Sequence, residues 1–199
     1  FILWMLFFFM LPLLVIEWYQ LRFLYFRWNQ TLAMDHSSSY GLSVMGWLES
    51  WFKIHANKMV VTISGGLLLL SPLILIKNYK HFHFRLLTIC SLLIWIVIFN
   101  HKAESPTFII AMSGVAIWFF SKKPTTIDII LFASAIILTS LSPSDLFPKP
   151  IRKAWVEPYV LKALPCILIW AKIIFEMLTY KAKSYKEPGD AIMLKPIEV

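Results

Sequence analysis

The segment LLTICSLLIWIVIFNHKAESPTFIIAMSGVAIWFF (86–120) decides the fold, because two apolar runs flank a short polar string. That string, NHKAESP (100–106), contains the segment's charged side chains and its histidine: His101, Lys102 and Glu104. At about 1.5 Å of rise per residue, either run is shorter than the ~30 Å hydrocarbon core of a bilayer, whereas the whole segment is too long for one span. We therefore predict two short helices joined by a polar turn. Lipid does not tolerate exposed irregular backbone, so the turn is expected in a protein-lined cavity below the membrane surface.

The composition excludes an ordinary soluble domain. Of the 199 residues, 59% are hydrophobic and 15% are charged, whereas soluble domains carry about 25% charged residues. Disorder is excluded as well, because it requires low hydrophobicity. The formal net charge of +8 is typical of basic cytoplasmic loops that contact anionic lipid, so membrane lipid, and no nucleic acid, is the expected partner. The predicted fold class is an all-α, polytopic integral membrane helical bundle of about six spans plus interfacial helices.

Six apolar stretches are predicted to span the membrane. They are residues 1–16, 59–76, 86–99, 106–120, 129–144 and 159–178. The basic segments 77–85, 121–128 and 179–199 fall on one side if the spans alternate. The positive-inside rule makes that side cytoplasmic, with 179–199 as a cytoplasmic tail. The extracytoplasmic side then holds residues 17–58, 100–105 and 145–158.

Residues 17–58 combine aromatic side chains with arginine, glutamate and lysine, which is typical of helices that lie in the membrane interface. We predict two extracytoplasmic interfacial helices here, joined by the polar loop 34–41. They either only anchor the chain or form a platform beside a substrate entrance. The chain begins at Phe1 inside an apolar stretch. We therefore expect residues 1–199 to be a single membrane domain that forms the C-terminal part of a longer protein.

Ionisable groups at membrane depth are costly, so the turn at 100–106 is a functional candidate. Lys102 can bind a phosphate as a point charge, and Glu104 can orient Lys102 or accept sugar hydroxyls. His101 can donate to a phosphate or relay a proton near neutral pH. Ser105 is expected to cap the next helix, whose positive dipole end favours an anion in the same cavity. The alternative is a loop at a thin bilayer edge, with Lys102 and Glu104 paired in solvent.

A second polar cluster, SPSDLFPKPIRKAWVEPY (142–159), is predicted to face the same side as that turn. Its prolines restrict helix formation, and its basic side chains are suited to clamp a phosphate or pyrophosphate head group. The alternative is a rigid interfacial connector. The candidate substrate-binding residues of the two clusters are Asn100, His101, Lys102, Glu104, Ser105, Asp145, Lys149, Arg152 and Lys153. No metal site is predicted, and Lys172 is expected to neutralise Glu176 four residues later.

Two blocks of this sequence resemble glycosyltransferase family 87, the polyprenol-phosphate-mannose-dependent mannosyltransferase-like membrane proteins of the GT-C superfamily. The blocks are FNHKAESPTFIIAMSGVAIWFF (99–120) and LSPSDLFPKPIRKAWVEPYVLKALPCILIW (141–170), with a weaker match at SSSYGLSVMGWLESWF (37–52). The resemblance implies a multi-pass GT-C fold in a bacterial inner membrane, with its active site on the extracytoplasmic side. It implies transfer of a sugar, mannose, from a polyprenyl-phosphate donor to an acceptor hydroxyl of a glycan or glycolipid, without a cofactor.

The resemblance also suggests roles for individual residues. It makes His101, Lys102 and Glu104 contacts of the donor phosphate and sugar, with His101 as the candidate catalytic residue. The general base of such proteins is an acidic residue in the first extracytoplasmic loop, which we expect upstream of Phe1. Two other functions remain open from the residues themselves. One is a transporter or flippase of a lipid-linked anion, and the other is a non-catalytic membrane subunit whose polar turn binds a partner.

Overall fold

A computed structural model of the chain describes residues 2–34 and 40–180. Within these ranges all regular elements are helical and no strand occurs, which confirms the all-α prediction. Contacts divide the chain into two compact units, Phe1–Ser38 and Ser39–Val199. That residues 1–199 form a single membrane domain stays a prediction. The division falls inside the predicted loop 34–41, of which residues 35–39 lie outside the described ranges. The predicted cytoplasmic tail lies almost wholly outside them as well.

The first unit is a pair of aromatic-rich helices. Helix α1 covers Ile2–Met10 and continues as a 3-10 helix over Leu11–Leu14, and α2 covers Trp18–Met34. The Tyr25 ring stacks on Phe9 with centroids 4.2 Å apart. The Tyr25 hydroxyl donates to the Phe9 carbonyl at 2.7 Å. Most of the other aromatic side chains of this unit are exposed.

The second unit contains the remaining helices of the described chain. They are α3 (Val44–Phe52), α4 (Lys58–Leu70), 3-10 helices at Ser71–Ile74 and Ile76–Lys80, α5 (Phe82–Ile98), a 3-10 turn at Ser105–Thr107, α6 (Phe108–Phe120), α7 (Thr126–Ser134), a π-helix at Ala135–Leu141, the short α8 (Lys149–Ile151), a π-helix at Arg152–Val156, and α9 (Leu164–Leu178). Helices α5, α6 and α9 pack around one buried apolar core. Gly114 allows the close approach of α6 to α5, because a Cβ there would lie 2.9 Å from the Cys90 carbonyl oxygen.

The apolar stretches of the second unit fold as helices near their predicted bounds. The segment 77–85 was predicted as a basic loop. In the structure it is mostly helical, because it contains most of a 3-10 helix and the first turn of α5. The last helix begins at Leu164 and not at residue 159. Val160 has a left-handed backbone conformation with a φ of 51°. That conformation is costly for an L-residue and interrupts an α-helix.

Over the two described ranges, no single helix has both the length and the apolar character that a membrane crossing requires. Two consecutive helices, Leu3–Leu14 and Trp18–Thr31, meet the criteria of length and composition only when they are taken together, and the chain bends by 118° between them.

Candidate anion-binding site

A cavity of about 320 Å³ opens at one end of the second unit, between the turn after α5 and the segment before α9. It is lined by Leu42, Ser105, Ser142, Pro143, Arg152, Val156, Glu157 and Lys162. The two polar clusters that the sequence indicated, 100–106 and 142–159, therefore meet at this cavity. Its ionisable lining consists of two basic residues and one acidic residue, which favours an anionic ligand.

Lys162 is the most deeply buried charged group of the cavity, with only 4% of the residue exposed. Its ammonium Nζ donates to the Ser105 carbonyl at 3.3 Å and to the Ser105 hydroxyl. It also lies 5.3 Å from the centroid of the Phe108 ring. No carboxylate of the described residues lies within 4.0 Å of this nitrogen. A buried cation without a counter-ion is costly, so an anion in the cavity would stabilise it.

Local structure fixes the position of Lys162. The turn between the second π-helix and α9 carries it, and Val160 gives that turn its left-handed backbone step. The Thr139 hydroxyl donates to the Lys162 carbonyl at 2.7 Å. This bond ties the turn to the π-helix that follows α7. The lysine is thus held on the rest of the bundle and is not on a free loop.

Arg152 supplies the second cation and is less buried than Lys162. Its Nε lies 3.5 Å from a Glu157 carboxylate oxygen, and Nη1 lies 3.5 Å from the Pro143 carbonyl. A guanidinium has five N–H donors, so these two contacts leave donors for a ligand. Glu157 is itself largely exposed to solvent, and its ion pair with Arg152 is correspondingly weak.

The predicted helix cap at Ser105 is wrong. The 3-10 turn begins with Ser105, its N-cap residue is Glu104, and no side chain caps it. The Ser105 hydroxyl instead accepts the hydrogen bond from Lys162. The other cavity serine, Ser142, donates to the Leu138 carbonyl. The physical reason is energetic, because a buried ammonium left without oxygen acceptors costs more free energy than a 3-10 turn without a side-chain cap.

The structure places two of the predicted binding residues, Ser105 and Arg152, at the cavity. The other seven do not line it: Asn100, His101, Lys102, Glu104, Asp145, Lys149 and Lys153. His101 and Lys102 are partly buried in the turn after α5, where the backbone of Gly41 packs so tightly against the His101 carbonyl that a Cβ there would overlap it. Whether these seven contact a substrate stays a prediction.

Sequence reasoning missed Lys162, although a signal was present. It is a lone lysine in the apolar run YVLKALPCILIW (159–170), with no acidic residue three or four positions away. Such a lysine cannot form a local helical ion pair. An ionisable residue of this kind in an apolar segment is a functional candidate by default.

An ionic cluster lies at the other end of the second unit from the cavity, where α6 ends and α7 begins. The Asp128 carboxylate lies 3.0 Å from the Lys172 Nζ and 3.4 Å from the Lys122 Nζ. Lys122 also pairs with Glu176, and the expected Lys172–Glu176 pair is confirmed at 4.0 Å. The Trp118 indole donates to Glu176 at 3.0 Å. With two cations and two anions in mutual contact, this cluster is internally neutralised, unlike the cavity.

Comparisons of this chain with protein-family models, curated proteins and solved structures found no match.

Proposed function

We propose that the protein is a membrane glycosyltransferase that transfers a sugar, mannose, from a polyprenyl-phosphate donor to an acceptor hydroxyl. The observation that supports this most directly is the buried Lys162, which has no carboxylate partner among the described residues and faces a cavity shared with Arg152. The donor phosphate fits this site by charge and by hydrogen bonding. Ammonium and guanidinium groups are the usual protein ligands of phosphate.

The same cations suit the chemistry of transfer. The acceptor oxygen forms a bond to the anomeric carbon while the bond from that carbon to the phosphate oxygen breaks, and the electron pair stays on the phosphate. The acceptor proton passes to a general base, for which the family resemblance gives an acidic residue of the first extracytoplasmic loop. Lys162 and Arg152 would stabilise the negative charge that develops on the leaving phosphate. This stabilisation is largest in a cavity that excludes water.

The surface of the second unit supports a membrane location for this reaction. Large apolar side chains are exposed on successive helices, among them Leu67 on α4, Ile109 and Phe120 on α6, Ile130 on α7 and Phe175 on α9. Extensive exposed apolar surface indicates a membrane or a protein partner. With the basic segment 121–128 on the cytoplasmic side, the cavity at the other end of α6 would open on the extracytoplasmic side. That is where the resemblance expects transfer.

A transfer assay with matched lysine variants tests the proposal. Membrane vesicles that contain the full chain are given a polyprenyl-phosphate [14C]mannose donor and a glycolipid extract as acceptor. Lys162→Met is expected to lower transfer about 10- to 100-fold, because a hydrogen bond to a charged group contributes about 1.5–3 kcal/mol. Lys162→Arg should retain part of the activity, since the charge is kept.

Lys123→Met is the matched control, because Lys123 is an exposed lysine of the same unit that neither lines the cavity nor belongs to the predicted binding residues. It should transfer sugar at the wild-type rate. Wild-type activity of Lys162→Met would contradict the proposed role of the cavity. Binding of the donor without any transfer by the wild type would favour the transporter or flippase function instead.

A further inference from the structure

The contact between Ser105 and Lys162 has a chemical use beyond anion binding. The Lys162 Nζ is within hydrogen-bond distance of the Ser105 hydroxyl oxygen, and both residues line the cavity. Ser105 is exposed, whereas only 4% of Lys162 is exposed. The hydroxyl is therefore accessible to a ligand, and the amine lies buried behind it. A serine nucleophile and a lysine general base are arranged in this way.

The surroundings of Lys162 suit a base. A general base accepts a proton through its lone pair, which only the uncharged amine has. Burial disfavours the charged amine unless a counter-ion compensates the charge, and no carboxylate of the described residues lies within 4.0 Å of Nζ. Nζ also donates to the Ser105 carbonyl at 3.3 Å, which holds the amine on the serine. A bound phosphate would supply the counter-ion, so the base is available when the cavity holds no phosphate.

Ser105 differs from other serines of the bundle in its hydrogen bonds. The hydroxyls of Ser113, Ser134 and Ser142 each donate to a backbone carbonyl three or four positions earlier in the chain. Serines inside helices commonly do so. Ser105 begins a 3-10 turn, and its hydroxyl contacts a lysine amine instead. Of these four serines, Ser105 is the one that can pass its proton to a base.

The rest of the cavity lining indicates the kind of substrate. Arg152 has N–H donors beyond those that contact Glu157 and Pro143, and they suit an anionic group. Leu42, Pro143 and Val156 provide apolar walls. A molecule with a negatively charged head group and an apolar chain is complementary to both parts of the lining.

We propose that Ser105 and Lys162 form a catalytic dyad that hydrolyses a carboxylic ester of an anionic lipid. The Ser105 oxygen forms a bond to the ester carbonyl carbon while Lys162 takes the hydroxyl proton. The bond from that carbon to the alcohol oxygen then breaks, and the alcohol oxygen takes the proton from Lys162. A water oxygen next bonds to the acyl carbon and gives a proton to Lys162, which returns it to the Ser105 oxygen as the acid leaves. This activity does not rest on the proposed function.

Covalent labelling of the purified full chain with a fluorophosphonate tests the dyad. The serine oxygen bonds to phosphorus, fluoride leaves, and the serine proton passes to Lys162. We expect the label on Ser105, located by mass spectrometry of peptides. Ser105→Ala should abolish it, and Lys162→Met should slow labelling about 100-fold or more, as loss of a general base does. A label on another residue, or labelling of Lys162→Met at the wild-type rate, would overturn the proposal.

Ser113→Ala is the matched control for Ser105→Ala. Ser113 is also exposed, but its hydroxyl donates to the Ile109 carbonyl at 2.8 Å, and it does not line the cavity. This variant should be labelled at the wild-type rate. Loss of the label in both variants would mean that the label does not report on the dyad, which contradicts the proposal. Melting temperatures show that each compared variant is folded.

Lys162→Arg separates the dyad from the proposed function. Arginine keeps the positive charge but cannot give up its proton, so the variant should keep part of the sugar transfer and lose the label. Labelling of Lys162→Arg at the wild-type rate would contradict a general base at this position. A wild type that is labelled at Ser105 but transfers no mannose would refute the proposed function and leave the dyad standing.

Hydrolysis of defined lipids tests the substrate class. Mixed micelles of the purified full chain with phosphatidylglycerol should release fatty acid at least about tenfold faster than micelles with phosphatidylcholine, because only the first lipid carries a net negative charge for Arg152. Ser105→Ala should release none from either lipid. Equal rates with the two lipids, or no release from either, would overturn the assignment of an anionic lipid ester.

Discussion

Asp128, at the start of α7, connects this helix to Lys172 on α9 and to Lys122, which follows α6. It lies in the first turn of α7, fully buried, and forms a capping box with Thr125. Burial alone would raise the pKa of Asp128. The hydrogen bonds from Thr125 and Lys172, together with the charge of Lys122, outweigh burial and lower the pKa below its ordinary value of 3.8. The charged form is therefore favoured in the folded state.

This shift predicts how stability depends on pH. Because the pKa of Asp128 is lower in the folded than in the unfolded protein, its contribution to the free energy of unfolding is fully present above pH 3.8. It is lost as the pH falls through the lower, folded-state pKa. Asp128→Asn should cost about 3–5 kcal/mol near neutral pH, because it leaves two lysines with one carboxylate fewer. Thermal unfolding of the detergent-solubilised protein at neutral and acidic pH measures both effects.

Asp145→Asn is the control for this measurement, because Asp145 is exposed and outside the ionic cluster. Its melting temperature should follow that of the wild type at each pH. An Asp128→Asn variant as stable as the wild type near neutral pH would show that the cluster does not stabilise the folded state.

At the scale of residues, the sequence predicts that a lysine contributes to the site, but it does not predict which lysine. A cation beside the turn 100–106 follows from the string NHKAESP, and Lys102 was the expected group. The structure instead brings Lys162 to the cavity, where it contacts Ser105. The two residues are 57 positions apart. Sequence periodicity describes neighbours three or four positions apart, so a contact over this separation depends on packing that the pattern does not contain.

Gly65 shows at the scale of elements why two adjacent glycines are not equivalent. Helix α4 contains Gly65 and Gly66 next to each other. A Cβ at Gly65 would overlap the Phe99 ring, whereas a Cβ at Gly66 would have only an ordinary contact of 3.8 Å with Trp95. The Phe99 ring cannot easily move, because it stacks on Trp95 and meets Trp170 edge-on at 5.1 Å.

Gly65→Ala is therefore expected to destabilise the packing of α4 on α5 by about 1–3 kcal/mol, the usual cost of overpacking a buried contact. Gly66→Ala should leave stability unchanged or raise it by up to about 1 kcal/mol, because alanine favours a helix more than glycine does. Melting temperatures of the two variants under the same detergent conditions make the comparison. Equal effects of both substitutions would contradict the close contact between Gly65 and Phe99.

Helices were predictable from continuous apolar runs, and their ends were less so. The runs from residue 58 onward fold as helices, since burial of apolar surface favours them regardless of detail. The late start of α9 at Leu164 depends on the backbone of Val160, a β-branched residue for which a positive φ is unusual. No local signal indicates such a conformation. The sequence also contains no local signal for the π-helices at Ala135–Leu141 and Arg152–Val156, so they could not be predicted.

At the scale of the whole molecule, the proposal requires the two ends of the second unit to face opposite sides of a membrane. Lys153 and Lys123 are both exposed, the first on the cavity side and the second beside the ionic cluster. In intact cells, an impermeant maleimide should label Lys153→Cys but should label Lys123→Cys only after permeabilisation. The native thiols Cys90 and Cys166 are buried, so their background labelling should be low.

Labelling of both variants in intact cells would show that the two ends share one side, which contradicts a spanning bundle. The reverse pattern would place the cavity in the cytoplasm and would contradict extracytoplasmic transfer. The expected pattern rests on the distribution of basic residues.

The most direct test of the central claim, that Lys162 holds the phosphate of a lipid carrier, is a comparison of farnesyl phosphate with farnesol. Calorimetric titration of the purified protein should show at least about tenfold tighter binding of the phosphate by the wild type. Lys162→Met should lose most of this preference, with farnesol binding unchanged, because the substitution retains an apolar chain and leaves Arg152 as the one cation of the cavity lining. If Lys162→Met kept the wild-type preference for farnesyl phosphate, the claim would be wrong.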